Sequence, residues 1–208
     1  MPDPVCVRCR GPLHTPEVAG QWTCDAHGVV EPLHAALPAE AYHLSDVASS
    51  SAVPVWLPWP VPAGWAVAGV RRTIGTGPAR AVAVGLIGPG VAARQAELVV
   101  VAEEPGVGLG ASYAGIATMD PGPELASLPC DTKVTADGRP TALWSLPVSD
   151  RAAYVGEASG LWLWVVAWPV TEWMVVHDDL RLVDVRAPEH RPLLAELPVG
   201  VLSPRLAG

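Results

Sequence analysis

The stretch Leu161-Trp162-Leu163-Trp164-Val165-Val166-Ala167-Trp168 decides the fold. Read with the two-residue period of a strand, it sends Trp162, Trp164, Val166 and Trp168 to one side. Leu161, Leu163, Val165 and Ala167 then point to the other. Both sides are apolar, so neither is suited to water, and the segment predicts a central strand covered on both faces. The run is too short to cross a membrane.

Working outward, similar runs recur. Residues 152–158 precede it across Ser159-Gly160, and residues 65–72, 81–87 and 98–102 lie upstream, each closed by Gly or Pro. Short apolar runs with such boundaries read as buried strands. Residues 133–146 predict a hairpin about Asp137-Gly138. Residues 174–176 and 180–185 predict another about His177-Asp178-Asp179. One short helix is expected at 109–116, an irregular Pro-rich loop at 119–131, and a tail from 192 to 206 that wraps the domain. Consecutive strands joined by short turns favour antiparallel pairing. The expected fold class is α+β: a twisted, mainly antiparallel sheet with one or two short helices, plus an N-terminal zinc ribbon.

Composition agrees with a strand-rich chain. Among 208 residues there are 23 Pro and 20 Gly, which interrupt helix interiors, and half of the residues are apolar. The absence of Phe and the single lysine, Lys133, read as the mark of a GC-rich genome and carry no functional weight. The formal charge is −8. Nucleic-acid binding needs clustered Lys and Arg, and Arg71-Arg72 is the longest basic cluster. The first residues lack the pattern of a secretory signal, and the uncharged segment 52–70 carries Pro54, Pro58, Pro60 and Pro62, so neither leader nor span is expected. A cytoplasmic protein that binds no nucleic acid is the expectation.

The chemically specific signal is Cys6-Val7-Arg8-Cys9, then fourteen residues, then Cys24-Asp25-Ala26-His27. Three thiolates and an imidazole at this spacing form a tetrahedral zinc set, and in a reducing compartment paired cysteines point to metal before disulfide. Gly11-Pro12 and Gly28 suit the turns that bring each pair to an ion. The predicted ligands are Cys6, Cys9, Cys24 and His27, with structural zinc; His14 and His34 have poorer spacing. A filled four-ligand sphere leaves no open position for catalysis. Acids and bases over residues 1–34 leave a net charge of −2, unsuited to gripping DNA.

The expected organisation is a zinc-ribbon-like module at 1–37, a Pro/Trp-rich connector at 38–63 docked on the remainder, and a sheet domain at 64–208. Trp56 and Trp59 in the connector are either core or interface.

Other motifs are weaker. Gly106-Val107-Gly108-Leu109-Gly110 has G-x-G-x-G spacing, not that of a dinucleotide fold, and reads as a tight strand-to-helix turn. Gly110-Ala111-Ser112-Tyr113-Ala114-Gly115 has one residue too many for a nucleophile elbow at Ser112. His177-Asp178-Asp179 is more simply a solvated turn than a base with carboxylates. Cys130 is lone.

Several stretches together resemble an uncharacterised family of proteins of this size from actinobacteria, the high-GC Gram-positive organisms. They are residues 6–9, 22–28, 53–60, 64–65, 106–115, 156–164 and 202–206. The resemblance implies one compact unit and no particular reaction. The expectation is a zinc-binding protein acting through a protein partner, as an adaptor or regulator and not as an enzyme. A small-ligand site or enzyme centre between Glu103 and Tyr113 is the alternative.

Overall fold

A computed structural model describes residues 3–15, 20–90, 94–122, 125–177 and 179–208. Asp178 of the expected turn and residues 123–124 of the Pro-rich loop lie outside them. Four short strands come first: β1 (Val5–Cys6), β2 (Thr23–Cys24), β3 (Gly28–Val29) and β4 (Pro32–Leu33). After α1 (Ala41–Ser49) come β5 (Trp56–Pro58), β6 (Ala66–Arg72), β7 (Ala81–Pro89) and β8 (Gln95–Glu103). Then α2 (Leu109–Ala114) leads to β9 (Thr132–Ala136), β10 (Arg139–Ser145), β11 (Ala152–Ala158) and β12 (Leu161–Trp168). The described chain closes with α3 (Met174–His177), β13 (Arg181–Asp184) and α4 (Pro204–Ala207), with short 3-10 turns between.

Nine strands form one sheet in the order β5-β13-β9-β10-β11-β12-β8-β7-β6. Every pairing is antiparallel except β13 with β9. The sheet curls, since its β5 edge comes back against β8. Strand β12 sits between β11 and β8, with Trp164 opposite Val155 and Val101. Its two faces are buried as the alternation predicts. Leu163, Val165 and Ala167 join one apolar cluster with Leu44 and Val47 of α1 and Leu57 of β5. Trp164, Val166 and Trp168 join a second with Val7, Leu33, Leu109 and Leu206. Helix α1 exists because Leu44, Val47 and Ala48 fall on one face and bury there. It stops where the hydroxyls of Ser49, Ser50 and Ser51 donate to the Asp46 and Val47 carbonyls, competing with further helix.

The expected fold class is met in its main part: a mostly sheet fold, antiparallel-rich and curled, with a few short helices. One local expectation fails. Residues 174–176 do not pair with 180–185 in a hairpin. Met174–His177 is helical, and Arg181–Asp184 pairs instead with β5 and β9. A buried carboxylate helps to place it: Asp184 accepts the Val55 amide at 3.1 Å and is clasped by the Arg186 guanidinium at 2.8 Å. No partner 129 residues away is visible in the local alternation that suggested the hairpin. Among the described residues no helix is long and apolar enough to cross a membrane.

Candidate metal centre

Two tight turns carry the four donors. In the first, the Cys6 amide donates to the Gly11 carbonyl and the Arg10 amide to that of Cys6, both at 2.9 Å. Arg10 takes a left-handed backbone, φ 62°, to close it. In the second, the His27 amide donates to the Cys24 carbonyl at 3.2 Å, and Gly28, φ 66°, turns the chain into β3. Strand β2 thus delivers Cys24, and β3 leads away from His27.

The turns converge. Cys6 Sγ and Cys24 Sγ each lie 3.6 Å from His27 Nδ1, and Cys9 Sγ lies 3.7 Å from Cys24 Sγ. All four donor atoms fall within 4.8 Å of one another, and the cysteines form no disulfide. A tetrahedron with metal–sulfur bonds of about 2.3 Å and metal–nitrogen bonds of about 2.0–2.1 Å has S···N edges of about 3.6 Å and S···S edges of about 3.8 Å. The chain's own geometry therefore fits a metal ion. His14 and His34 take no part: His14 Nε2 meets Asp25 at 2.7 Å, and His34 Nδ1 faces the Ala35 carbonyl. Cys130 is also outside the cluster.

The thiols are not equivalent. Burial pushes Cys6 up to about 11, whereas the Ala26 amide holds Cys24 down at about 6. Burial thus disfavours the Cys6 thiolate while a backbone amide favours that of Cys24, and a metal ion at the cluster would favour the ionised form of each thiol.

The corner carrying these turns is fastened along β6. The His34 amide donates to the Arg72 carbonyl, Leu37 and Val70 exchange two backbone hydrogen bonds, and Ile74 donates to the Pro32 carbonyl. Arg71, almost fully buried, gives its Nε to the His34 carbonyl at 2.7 Å. Arg80 bridges Glu31 at 3.0 Å and Glu104 at 2.6 Å. Cys6 and Val7 are fully buried against the outer face of the sheet.

Between Glu103 and Tyr113 the chain is packed. Glu103 is fully buried, and its carboxylate accepts the Leu109 and Gly110 amides at 2.6 and 3.2 Å, satisfying the start of α2. Burial raises its pKa to about 7 despite those amides. The buried Trp164 indole N–H acts on the same carboxylate electrostatically, but its geometry falls short of a hydrogen bond. The glycine spacing has a packing reason as well as a turn reason. Gly106 and Gly108 have φ of 86° and 85°, and a Cβ on Gly110 would come within 2.1 Å of the Trp164 ring. Ser112 and Tyr113 border a hollow shared with Arg8, Arg10, Arg151 and Arg205, a grouping that sequence reasoning missed because its members are up to 197 positions apart.

Trp56 is buried core, whereas Trp59 is half-buried and lines a cavity of about 860 Å³ with Pro60, Pro62, Trp65 and Leu180. Met174, exposed, lines the same cavity, and the exposed Trp173 precedes it.

No curated protein and no solved structure matches the chain. A family profile does match, over residues 1–206, and by that match the chain belongs to a family of unknown function, DUF6758.

Proposed function

We propose that Cys6, Cys9, Cys24 and His27 hold a structural zinc ion in a ribbon-like unit at residues 1–37, and that the protein acts through protein contacts and not by catalysis. The observation that carries the zinc reading is the set of donor spacings, 3.6 and 3.7 Å, on thiols that form no disulfide. Thiolate-rich tetrahedral sites favour zinc over hard cations. In this reading four protein donors fill the coordination sphere, so the metal closes the fold and offers no site for a substrate. Unpaired cysteines beside such a site suit a reducing cytoplasm, and the net negative charge of residues 1–34 argues against nucleic acid.

The adaptor reading is supported by the burial of Glu103, which removes a carboxylate from possible acid–base work, and by the exposed side chains of Trp173 and Met174. The connector at 38–63 is part of this proposal: it joins the ribbon unit to the sheet at 64–208 and contributes β5.

Metal analysis of protein purified without added zinc tests the first part. One equivalent of zinc is expected, lost in Cys24→Ser; protein that folds fully without any metal refutes it. Affinity capture tests the second. A specific partner lost from Trp173→Ala supports it, and the absence of any partner for the unaltered chain contradicts it.

A further inference from the structure

We infer that the hollow between the Cys6–Cys9 turn, α2 and α4 binds a phosphate-type oxyanion, either inorganic phosphate or a small phosphomonoester. The protein carries a formal charge of −8, yet four of its twelve arginines border this one cavity of about 350 Å³. Arg8 and Arg10 come from the Cys6–Cys9 turn, Arg151 immediately precedes β11, and Arg205 comes from α4. Cys9 of the same turn, Ser112 and Tyr113 of α2, and Pro204 and Gly208 complete the wall.

Internal partners account for only part of this charge. Arg151 is held by Asp150 at 2.6 Å and gives Nη1 to the Tyr113 carbonyl at 2.6 Å. Arg205 reaches Glu97 only at 3.9 Å. Among the described residues neither Arg8 nor Arg10 has a carboxylate within ion-pair distance. Arg8 makes two long hydrogen bonds, 3.3 and 3.4 Å, to the Gly106 and Val107 carbonyls. Arg10 lies over the Tyr113 ring at 4.5 Å, and its Nη1 is buried without a hydrogen-bond partner. A Cys₃His zinc site has a net charge of −1 and offsets at most one of these guanidiniums.

Arg8 and Arg10, left without a carboxylate, repel each other and their neighbours in a partly desolvated hollow, and an anion bound there relieves that repulsion. Guanidiniums present planar forks of N–H donors that match phosphate oxygens. Arginines drawn from three separate segments suit a tetrahedral dianion better than a planar carboxylate, and Ser112 lies on the same wall. Room remains for a small organic group on the phosphate.

Calorimetric titration of the full chain, metal-loaded and at low ionic strength, tests this with inorganic phosphate in one arm and phenyl phosphate in the other. Saturable one-to-one binding at millimolar affinity or tighter is expected. Arg8→Gln and Arg205→Gln should each weaken it by about tenfold, the loss of one charged contact. Arg181→Gln, an arginine outside the hollow, should leave it unchanged. Tighter binding of phenyl phosphate assigns the site to phosphomonoesters; equal binding assigns it to the free ion. Three results overturn the inference: no binding in the millimolar range, binding that survives both pocket substitutions, or binding that falls equally in Arg181→Gln. Zinc content measured on each sample separates a lost anion site from a lost metal. If Arg8→Gln releases zinc and the unaltered chain binds no phosphate, Arg8 serves only the thiolates.

Discussion

Around β12, every inward side chain meets apolar neighbours on both faces of the sheet, and Trp164, Leu163, Val165 and Val166 are completely buried. In the corner formed by residues 3–15 and 20–33, the buried apolar set is Cys6, Val7, Cys24, Val30, Pro32 and Leu33, and two of these six belong to the Cys/His cluster that could hold a metal ion. The strands there are two residues long, against seven and eight for β11 and β12. The sheet is held by apolar area, which is non-directional and needs no ligand. The corner has less of it; in the proposed reading its order depends on a metal ion held by the four clustered side chains, and on its fastening to β6. On that proposal one molecule has a self-sufficient part and a part that depends on an ion.

Removing the metal is the sharpest way to break this comparison. Structural zinc contributes on the order of 10–16 kcal/mol in small sites. Chelation, or Cys24→Ser, should therefore unfold the corner while the sheet persists. Hydrogen exchange should rise sharply over residues 5–33 and stay slow in β8, β11 and β12; uniform loss of protection would show that the two parts are not separable.

Trp164→Ala attacks the other side. It should cost about 3–5 kcal/mol and lower the midpoint of global denaturation without altering metal content.

Glu103 lies on the seam between the sheet and α2, and pH reads it. Its folded pKa of about 7 lies above the ordinary value of 4.5, so between these the native state binds the extra proton. Stability should consequently fall as pH rises through that window, by roughly 3 kcal/mol in all. Denaturation at about pH 5 and about pH 8 measures the difference, and Glu103→Gln should abolish most of it. A wild-type protein as stable at the higher pH would contradict the buried carboxylate.

The smallest effect belongs to the ion pairs joining corner and sheet. Arg80→Ala should cost under about 1 kcal/mol, because the guanidinium is partly exposed. A double-mutant cycle with Glu31→Ala would show a larger coupling if the pair were what holds the corner in place.

Much of this was legible in the sequence. Strands β11 and β12 begin and end where the alternation and Ser159-Gly160 put them, and the turn about Asp137-Gly138 joins β9 to β10. The four donors named from C-x-x-C and C-x-x-H spacing are the four that cluster. These features are local: a period, a turn dipeptide, a ligand spacing. The expected hairpin near residue 177 failed because β13 takes its neighbours from β5 and β9. The arginine hollow was invisible for the same reason.

The sequence by itself determined the two-faced central strand, the antiparallel neighbours reached by short turns, and which Cys and His side chains cluster, because each is written within a few residues of chain. Only the tertiary structure decided that β13 runs parallel to β9, that Glu103 is consumed in capping α2, that Gly110 makes room for Trp164, and that Arg8, Arg10, Arg151 and Arg205 share one cavity. Those relations depend on burial and on contacts between distant segments, which exist only once the sheet has curled and the corner has docked.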